Sequence, residues 1–225
     1  VPIGYLYCIG NPRTDWMMKT AAEPGLNGRT LSYPRGKLLG GCSSVNGMIY
    51  MRGQAADYDG WRQMGNSGWG WDDVLPYFLK SEDHHNPDQP LHNVGGEWKV
   101  ARQRLRWDVL ETVQQGAKEF GIKPTADFNG GTNEGSGFFE VNQKNGVRWN
   151  TAKAFLRPAL KRKNLKVMTG AFTRRVIIEG KRAVGVEFER DMQTLQATAR
   201  AEVILAAGAI NSPKLLELSG IGQPE

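Results

Sequence analysis

Long apolar runs and cysteines are both scarce in this sequence of 225 residues. No run approaches the roughly 20 consecutive apolar residues that a membrane-spanning helix needs, so no transmembrane segment is predicted. Cys8 and Cys42 are the only cysteines, and they form neither a Cys-x-x-Cys pair nor a disulfide framework. This predicts a reducing compartment, with a cytoplasmic location favoured and a membrane-associated one as the alternative. We interpret Cys42 as a small packed thiol.

The first residues lack two further signals. Val1 to Tyr5 contain neither an initiator methionine nor the basic-then-apolar pattern of a secretory signal. We therefore expect this sequence to be the interior of a longer chain.

Basic residues outnumber acidic ones, 29 to 23, which gives a net charge of +6. Such a charge could attract nucleic acid or anionic lipid. Aromatic residues do not interleave with the basic clusters, however, and no nucleic-acid-binding motif is present. We interpret the clusters as solvated faces of a globular protein that binds no nucleic acid. They lie at Arg102, Arg104 and Arg106, at Lys161 to Lys163, and at Arg174 and Arg175.

The three histidines fall in the polar stretch from Ser81 to Gly96. The pair His84 and His85 with the nearby His92 suggests a metal site. No carboxylate or cysteine supports them at helical spacing, so we expect exposed loop histidines and no metal.

Two glycines mark the stretch from Tyr33 to Tyr50. Gly40 and Gly41 carry no β-carbon, so the backbone can turn tightly and approach a flat or phosphorylated ligand closely. Short polar residues follow, and then the apolar run Met48 to Tyr50. This pattern predicts a glycine turn that leads into a helix, with Met48 to Tyr50 in the buried part of that helix.

Hydrophobic spacing and breaker residues predict mixed α/β secondary structure. We expect one helix over 57–64 and one over 108–120. Three more helices are expected to begin at Asp72, at Asn150 or Thr151, and at Asn211. Pro76 and Pro213 would lie in the first turns of the helices that begin at Asp72 and Asn211. We expect strands over 97–101, 138–143, 165–171, 172–178, 183–189, 195–199 and 202–207, with a hairpin turn at 179–182.

Two long motifs resemble the signatures of the glucose-methanol-choline (GMC) oxidoreductases, which are FAD-dependent alcohol oxidases and dehydrogenases. The first is Gly36-Lys-x-Leu-Gly-Gly-x-Ser-x-Val-Asn46, and the second runs from Gly208 to Gly222. The resemblance implies an α/β fold, with a partial FAD-binding Rossmann-like domain and part of a substrate-binding domain. The implied divisions are residues 1–60 for FAD binding, 61–96 for a lid or connection, 97–147 for the substrate domain and 148–225 for FAD binding.

The resemblance also implies a chemistry and a set of cofactor-binding residues. Relatives oxidise an alcohol by moving its hydride to the flavin, and oxygen or a quinone-like acceptor takes the electrons afterwards. The alcohol would be choline-like, aliphatic or aryl. The two glycine bends would converge on the same ring system. The residues implied to contact FAD are Gly40, Gly41, Ser43, Asn46, Gly47, Met48, Val176, Ala207 and Gly208.

Three departures from the family pattern qualify that implication. Val45 stands where some relatives attach FAD through a histidine, so noncovalent FAD is predicted. The sequence contains no Gly-x-Gly-x-x-Gly fingerprint, and it contains no half that bears the family's catalytic histidine, so no catalytic residue is assigned. We expect a fragment that is inactive alone. The alternative is a noncatalytic flavin-binding or regulatory module derived from a GMC protein.

Overall fold

The computed structural model describes residues 2–88 and 90–222. The chain divides into two compact units, one up to Lys163 and one from Asn164 onward. The strands are β1 (Met18–Lys19), β2 (Ser32–Tyr33), β3 (Glu82–His84), β4 (Trp98–Val100), β5 (Gln143–Lys144), β6 (Val147–Arg148), β7 (Phe172–Glu179), β8 (Arg182–Arg190) and β9 (Gln193–Thr198). The α-helices are α1 (Ala55–Gln63), α2 (Trp71–Ser81), α3 (Asp108–Glu119), α4 (Arg157–Ala159) and α5 (Gly208–Leu218).

Short 3-10 helices occupy Pro2–Tyr7, Pro24–Leu26 and Gly41–Ser44, and a π-helical turn spans Ala152–Leu156. In the first unit, β1 pairs with β2 and β5 with β6 in antiparallel fashion, whereas β3 and β4 are parallel. Val141 joins these pieces, because it bridges to both Ile49 and Ala101 and is buried. The first unit is therefore built from short paired segments around a small core. That core contains Val45, Met48, Tyr50, Val100, Val141 and Ala154.

Helices α1 and α2 pack through aromatic side chains. The Tyr58 ring lies 5.5 Å from Trp61, 5.7 Å from Trp71 and 5.9 Å from Phe78 between ring centroids. The predicted helix over 57–64 is confirmed as α1. Aromatic contacts of this kind contribute beyond the area that they bury.

In the second unit, β7, β8 and β9 form an antiparallel sheet against which α5 packs. The predicted hairpin is confirmed, with Glu179 pairing with Arg182 across Gly180 and Lys181. Charged side chains pair on this sheet, Arg175 with Glu187 and Arg174 with Glu189. These pairs are partly exposed, as expected of a solvated face.

Several predicted helix details are wrong. Met48 to Tyr50 are not helical, because Met48 has a φ of +67° and Ile49 bridges to Val141. At α2 the N-terminal carboxylate is that of Asp73, which accepts the Gly70 N–H at 3.0 Å, and Asp72 lies inside the helix. Pro76 and Pro213 lie within α2 and α5, beyond their first turns.

Three predicted strands also need correction. Residues 165–171 and 202–207 are not strands in the part of the chain that the structure describes, and Ile204 is 78% exposed. A strand needs a hydrogen-bonded neighbour, and neither segment has one among these residues. In the 138–143 range, only Val141 and Gln143 pair. No helix within 2–88 or 90–222 is long and apolar enough to cross a membrane.

Candidate cofactor site

The predicted cofactor loop, Gly40 to Met48, begins with a turn that requires glycine. Gly40 has a φ of +90° and Gly41 a φ of +50°, both in the left-handed region. A β-carbon on Gly40 would lie 2.6 Å from the Ser44 hydroxyl oxygen, whereas one on Gly41 would meet nothing within 4 Å. The outer side of Gly41 is therefore open, as close approach by a ligand requires.

The Ser43 hydroxyl forms hydrogen bonds within the protein. It donates to the Gly40 carbonyl oxygen at 2.6 Å and accepts the Thr151 N–H at 3.0 Å. These bonds fasten the loop to the residues just before the π-helical turn. The structure thus gives Ser43 a positioning role in the loop, and its contact with a cofactor stays a prediction.

Arg148 holds the middle of the loop, and sequence reasoning did not identify it as a site residue. Its Nη1 donates to the Asn46 side-chain oxygen at 2.7 Å and to the Ser43 carbonyl oxygen at 3.1 Å, and its Nη2 donates to the Asn46 carbonyl oxygen at 2.7 Å. The Asn46 side-chain oxygen also accepts the Met48 N–H at 3.1 Å. Burial lowers the pKa of the Arg148 guanidinium, which nevertheless stays charged near neutral pH. A positive charge therefore lies directly beneath the loop.

The main chain is exposed at Gly47 and is held by a hydrogen bond at Met48. Gly47 is exposed, a β-carbon on it would meet nothing within 4 Å, and its N–H donates to no acceptor among the described residues. Met48 is buried, and its carbonyl oxygen accepts the Asn142 N–H at 2.8 Å. The backbone at Gly47 is therefore accessible to a ligand, and the hydrogen bond at Met48 holds it in position.

The second unit holds the other three predicted residues at two separate places. The Val176 N–H donates to the Ser219 hydroxyl at 2.8 Å, just beyond the last residue of α5. Ala207 and Gly208 lie at the first turn of that helix and are exposed. Because α5 has 11 residues, its two ends are about 16 Å apart. The convergence of both glycine bends on the same ring system stays a prediction.

Each unit by itself has features that fit a flat, anionic cofactor. Open space lies where a β-carbon of Gly41, Gly47 or Gly208 would be, so a planar group could approach the main chain there. The first N–H groups of α5 have no intrahelical acceptors, and the positive end of the helix dipole favours an anion. The residues present are therefore compatible with FAD.

A buried polar cluster lies behind the loop. Arg52 donates to Glu82 at 2.9 Å, and Glu82 is fully buried. His92 lies between two carboxylates, with Nδ1 3.0 Å from Glu82 and Nε2 3.0 Å from Asp127. Both ring nitrogens must then donate, so His92 is an imidazolium. Burial alone would lower the pKa of His92, but the hydrogen bonds to Asp127 and Glu82 raise it to about 9.

The cluster continues to Glu140, whose backbone contacts Tyr50, just after the loop. Glu140 accepts from His84 and His85 through its two carboxylate oxygens, and its carbonyl oxygen accepts the Tyr50 N–H at 2.8 Å. Burial alone would raise the pKa of the Glu140 carboxyl, but its hydrogen bonds to the two histidines lower it. The cluster is therefore part of the support for the segment after Met48.

Two expectations are wrong, one about the histidines and one about Cys42. His84 and His92 are buried rather than exposed loop residues, because carboxylates distant in sequence satisfy their rings. Only His85 lies at the surface. Cys42 is exposed rather than packed, although its sulfur accepts the Gly36 N–H at 3.5 Å.

The fold and the loop define a class: a mixed α/β protein with a glycine-backed site suited to a flat, anionic cofactor. Residues 7–225 match the family model described as GMC oxidoreductase. The chain belongs to the GMC oxidoreductase family. Both the resemblance seen in the two motifs and the predicted fold class are thereby confirmed.

Individual relatives agree with this placement. The oxygen-dependent choline dehydrogenase of Brucella anthropi is 46% identical over 208 residues, which cover 92% of this chain and 38% of that protein. Pyridoxine 4-oxidase from Mesorbium loti matches with a TM-score of 0.91 at 32% identity, covering 98% of this chain and 43% of that chain. An FAD-dependent oxidoreductase from Chaetomium thermophilum matches with a TM-score of 0.87 at 28% identity, covering 92% and 39%. The chain spans about two fifths of the length of the curated relatives that it matches.

Proposed function

We propose that this chain forms part of the FAD-binding region of an oxidoreductase that oxidises a primary alcohol to the aldehyde. The observation that carries the proposal is the open, glycine-backed main chain at Gly41 and Gly47, held in place by the buried Arg148. Family membership and the choline dehydrogenase and FAD-dependent relatives support it. When bound, FAD would accept the hydride from the alcohol carbon.

The residues of this chain bind and orient the cofactor in this proposal. The Gly47 N–H is available as a donor to an anionic or electron-rich atom, and the charge of Arg148 beneath the loop favours negative charge above it. Gly40, Gly41, Ser43, Asn46 and Met48 set the shape of that surface. Val176, Ala207 and Gly208 form the second part of the proposed FAD contact.

The proposed reaction partners are small. The donor would be a choline-like, aliphatic or aryl alcohol, and the electron acceptor would be oxygen or a quinone-like molecule. No residue of this chain is proposed as the base that takes the hydroxyl proton.

FAD would be held noncovalently. Val45 offers no nucleophilic atom, and its side chain is buried in the core of the first unit. Acid precipitation of the flavoprotein should therefore leave all of the flavin in the supernatant. Flavin that sediments with the polypeptide would contradict noncovalent attachment.

The reaction is tested on the product of the complete reading frame that contains this chain. We expect a yellow protein whose flavin absorbance bleaches when a primary alcohol is added without oxygen, and choline, an aliphatic alcohol and an aryl alcohol are compared. A colourless protein would overturn the cofactor assignment. A yellow protein that none of these alcohols bleaches would favour a noncatalytic flavin-binding module.

A further inference from the structure

Two imidazoles and a carboxylate converge at one edge of the buried polar cluster. His84 Nε2 lies 2.9 Å from one Glu140 carboxylate oxygen, and His85 Nε2 lies 2.6 Å from the other. The three donor atoms all lie within 4.8 Å of one another. From this geometry we infer a binding site for one Zn²⁺ ion, or a similar divalent transition metal, formed by His84, His85 and Glu140.

The donor set and the distances suit that ion. Zn²⁺ takes imidazole nitrogen and carboxylate oxygen at about 2.0–2.1 Å, and two histidines with one glutamate are a known set of protein ligands for it. Tetrahedral bonds of that length would place neighbouring donor atoms about 3.3 Å apart. The two nitrogen-to-oxygen distances, 2.9 and 2.6 Å, therefore need to lengthen by only about 0.4 and 0.7 Å. Each coordinating Nε2 then gives up its proton to solvent.

The surroundings of His84 support metal binding at Nε2. Its other ring nitrogen, Nδ1, lies 2.9 Å from the Asn86 carbonyl oxygen. Metal-binding histidines ordinarily donate the second ring N–H to such an acceptor, which fixes the ring and the tautomer. The backbone turn after β3 already provides this contact.

The rest of the cluster is less suited to a cation. Both ring nitrogens of His92 already contact carboxylates, and the positively charged Arg52 forms an ion pair with Glu82. These charges compensate one another, and the side chains of Arg52, Glu82 and His92 are almost completely buried. The His85 side chain, by contrast, is 24% exposed and gives an ion a route from solvent. The edge formed by His84, His85 and Glu140 is therefore where an ion can enter and be held.

The test uses the tag-free product of the complete reading frame that contains this chain, stripped with a chelator and titrated with Zn²⁺ against a chromogenic competitor. We expect one equivalent of Zn²⁺ per chain. His85→Ala should weaken binding by at least about tenfold, because it removes one of three ligands, and this ligand is partly exposed. Glu134→Gln, an exposed carboxylate, and Cys42→Ser should leave the affinity unchanged. Zn²⁺ should raise the melting temperature of the wild type but not that of His85→Ala.

Two results would overturn the site. One is a stoichiometry well below one Zn²⁺ per chain, and the other is equal affinity in the wild type and His85→Ala. Glu140→Gln is a third variant, and far-UV circular dichroism shows whether it folds. If it folds, it must lose Zn²⁺ binding as well; if it does not fold, His85→Ala decides. The outcome is independent of whether the chain binds FAD.

Discussion

At Gly36 and Gly40, the surrounding atoms leave no room for a side chain. A β-carbon on Gly36 would lie 2.4 Å from the Gly41 carbonyl oxygen, which is a backbone atom and cannot turn away. Because Gly36 and Gly40 have no side chains, the backbone around them can pack closely against the residues at the start of the loop. Sequence reasoning found Gly40 and Gly41 because glycine pairs mark such turns locally.

Gly36→Ala should destabilise the first unit by about 1–3 kcal/mol, the usual range for overpacking at a closely packed position. The matched control is Gly25→Ala, because a β-carbon there meets nothing within 4 Å. Neither glycine has a left-handed φ, so conformational strain does not confuse the comparison. Chemical denaturation measures the free energy of unfolding of both variants. Equal unfolding free energies would show that the Gly36 contact does not limit the fold.

The contacts of Arg148 could not be predicted from the sequence. Its partner Asn46 is 102 residues away, and no local pattern announces such a contact. The same is true of His84 and Glu140, which are 56 residues apart. The histidine pair was visible in the sequence, but the carboxylate that it contacts was not.

Arg148→Lys should cost about 1.5–3 kcal/mol, because a single ammonium cannot replace the forked contacts of a buried guanidinium. Arg13→Lys is the control, since Arg13 is exposed. Denaturation of both variants measures the difference. An Arg148→Lys protein as stable as the control would mean that the loop does not depend on this side chain.

Asp15 gives the first unit an acid-sensitive contact. Its carboxylate is buried and accepts the N–H groups of Gly10, Met17 and Arg35. Burial alone would raise the pKa of the Asp15 carboxyl, but these hydrogen bonds lower it. A depressed folded-state pKa adds stability above the ordinary aspartate pKa of about 3.9, and that stability is lost as the pH falls through the lower folded value.

Asp15→Asn should therefore be less stable than the wild type at neutral pH, with the difference shrinking as the pH falls below about 4. Thermal unfolding across this pH range measures the effect. Asp88→Asn, at an exposed position, is the control and should match the wild type throughout. A constant gap between Asp15→Asn and the wild type would refute the linkage.

Secondary-structure elements with local sequence signals could be predicted, whereas strands that depend on a distant neighbour could not. Helix α1 and the turn between β7 and β8 carry their own capping and glycine signals. The apolar run over 202–207 predicts a buried strand, yet none of these residues is buried and none pairs as a strand within the described chain. A run of apolar residues indicates which segments can pair, but the neighbour that accepts them decides whether they do.

Ser219 links two elements of the second unit, and its removal is a test at this scale. Its hydroxyl donates to the Leu215 carbonyl oxygen and accepts the Val176 N–H. Ser219→Ala should cost about 1–3 kcal/mol, because it leaves the N–H of a buried residue without its acceptor. Thr169→Val, which removes an exposed hydroxyl, is the control. Unchanged stability in Ser219→Ala would show that α5 does not need this link to the sheet.

For the whole molecule, the two motifs identified the family, and the match over residues 7–225 confirmed it. The predicted division into four segments stays a prediction beside the two compact units. What the sequence could not provide was the support of the site, since Arg148, Glu140 and the buried histidines act through distant contacts. The central claim at this scale is that bare main chain at Gly41 to Met48 forms a cofactor surface.

The most direct measurement of that claim is the FAD affinity of Gly47→Leu in the product of the complete reading frame. A β-carbon on Gly47 would meet no protein atom within 4 Å, so the variant should fold with unchanged stability while its side chain fills the space proposed for FAD. Gly25→Leu, at an equally open and exposed position, is the matched control. The account predicts that FAD binding weakens at least about tenfold in Gly47→Leu alone, equivalent to about 1.4 kcal/mol. Equal FAD affinity in the two variants would contradict it.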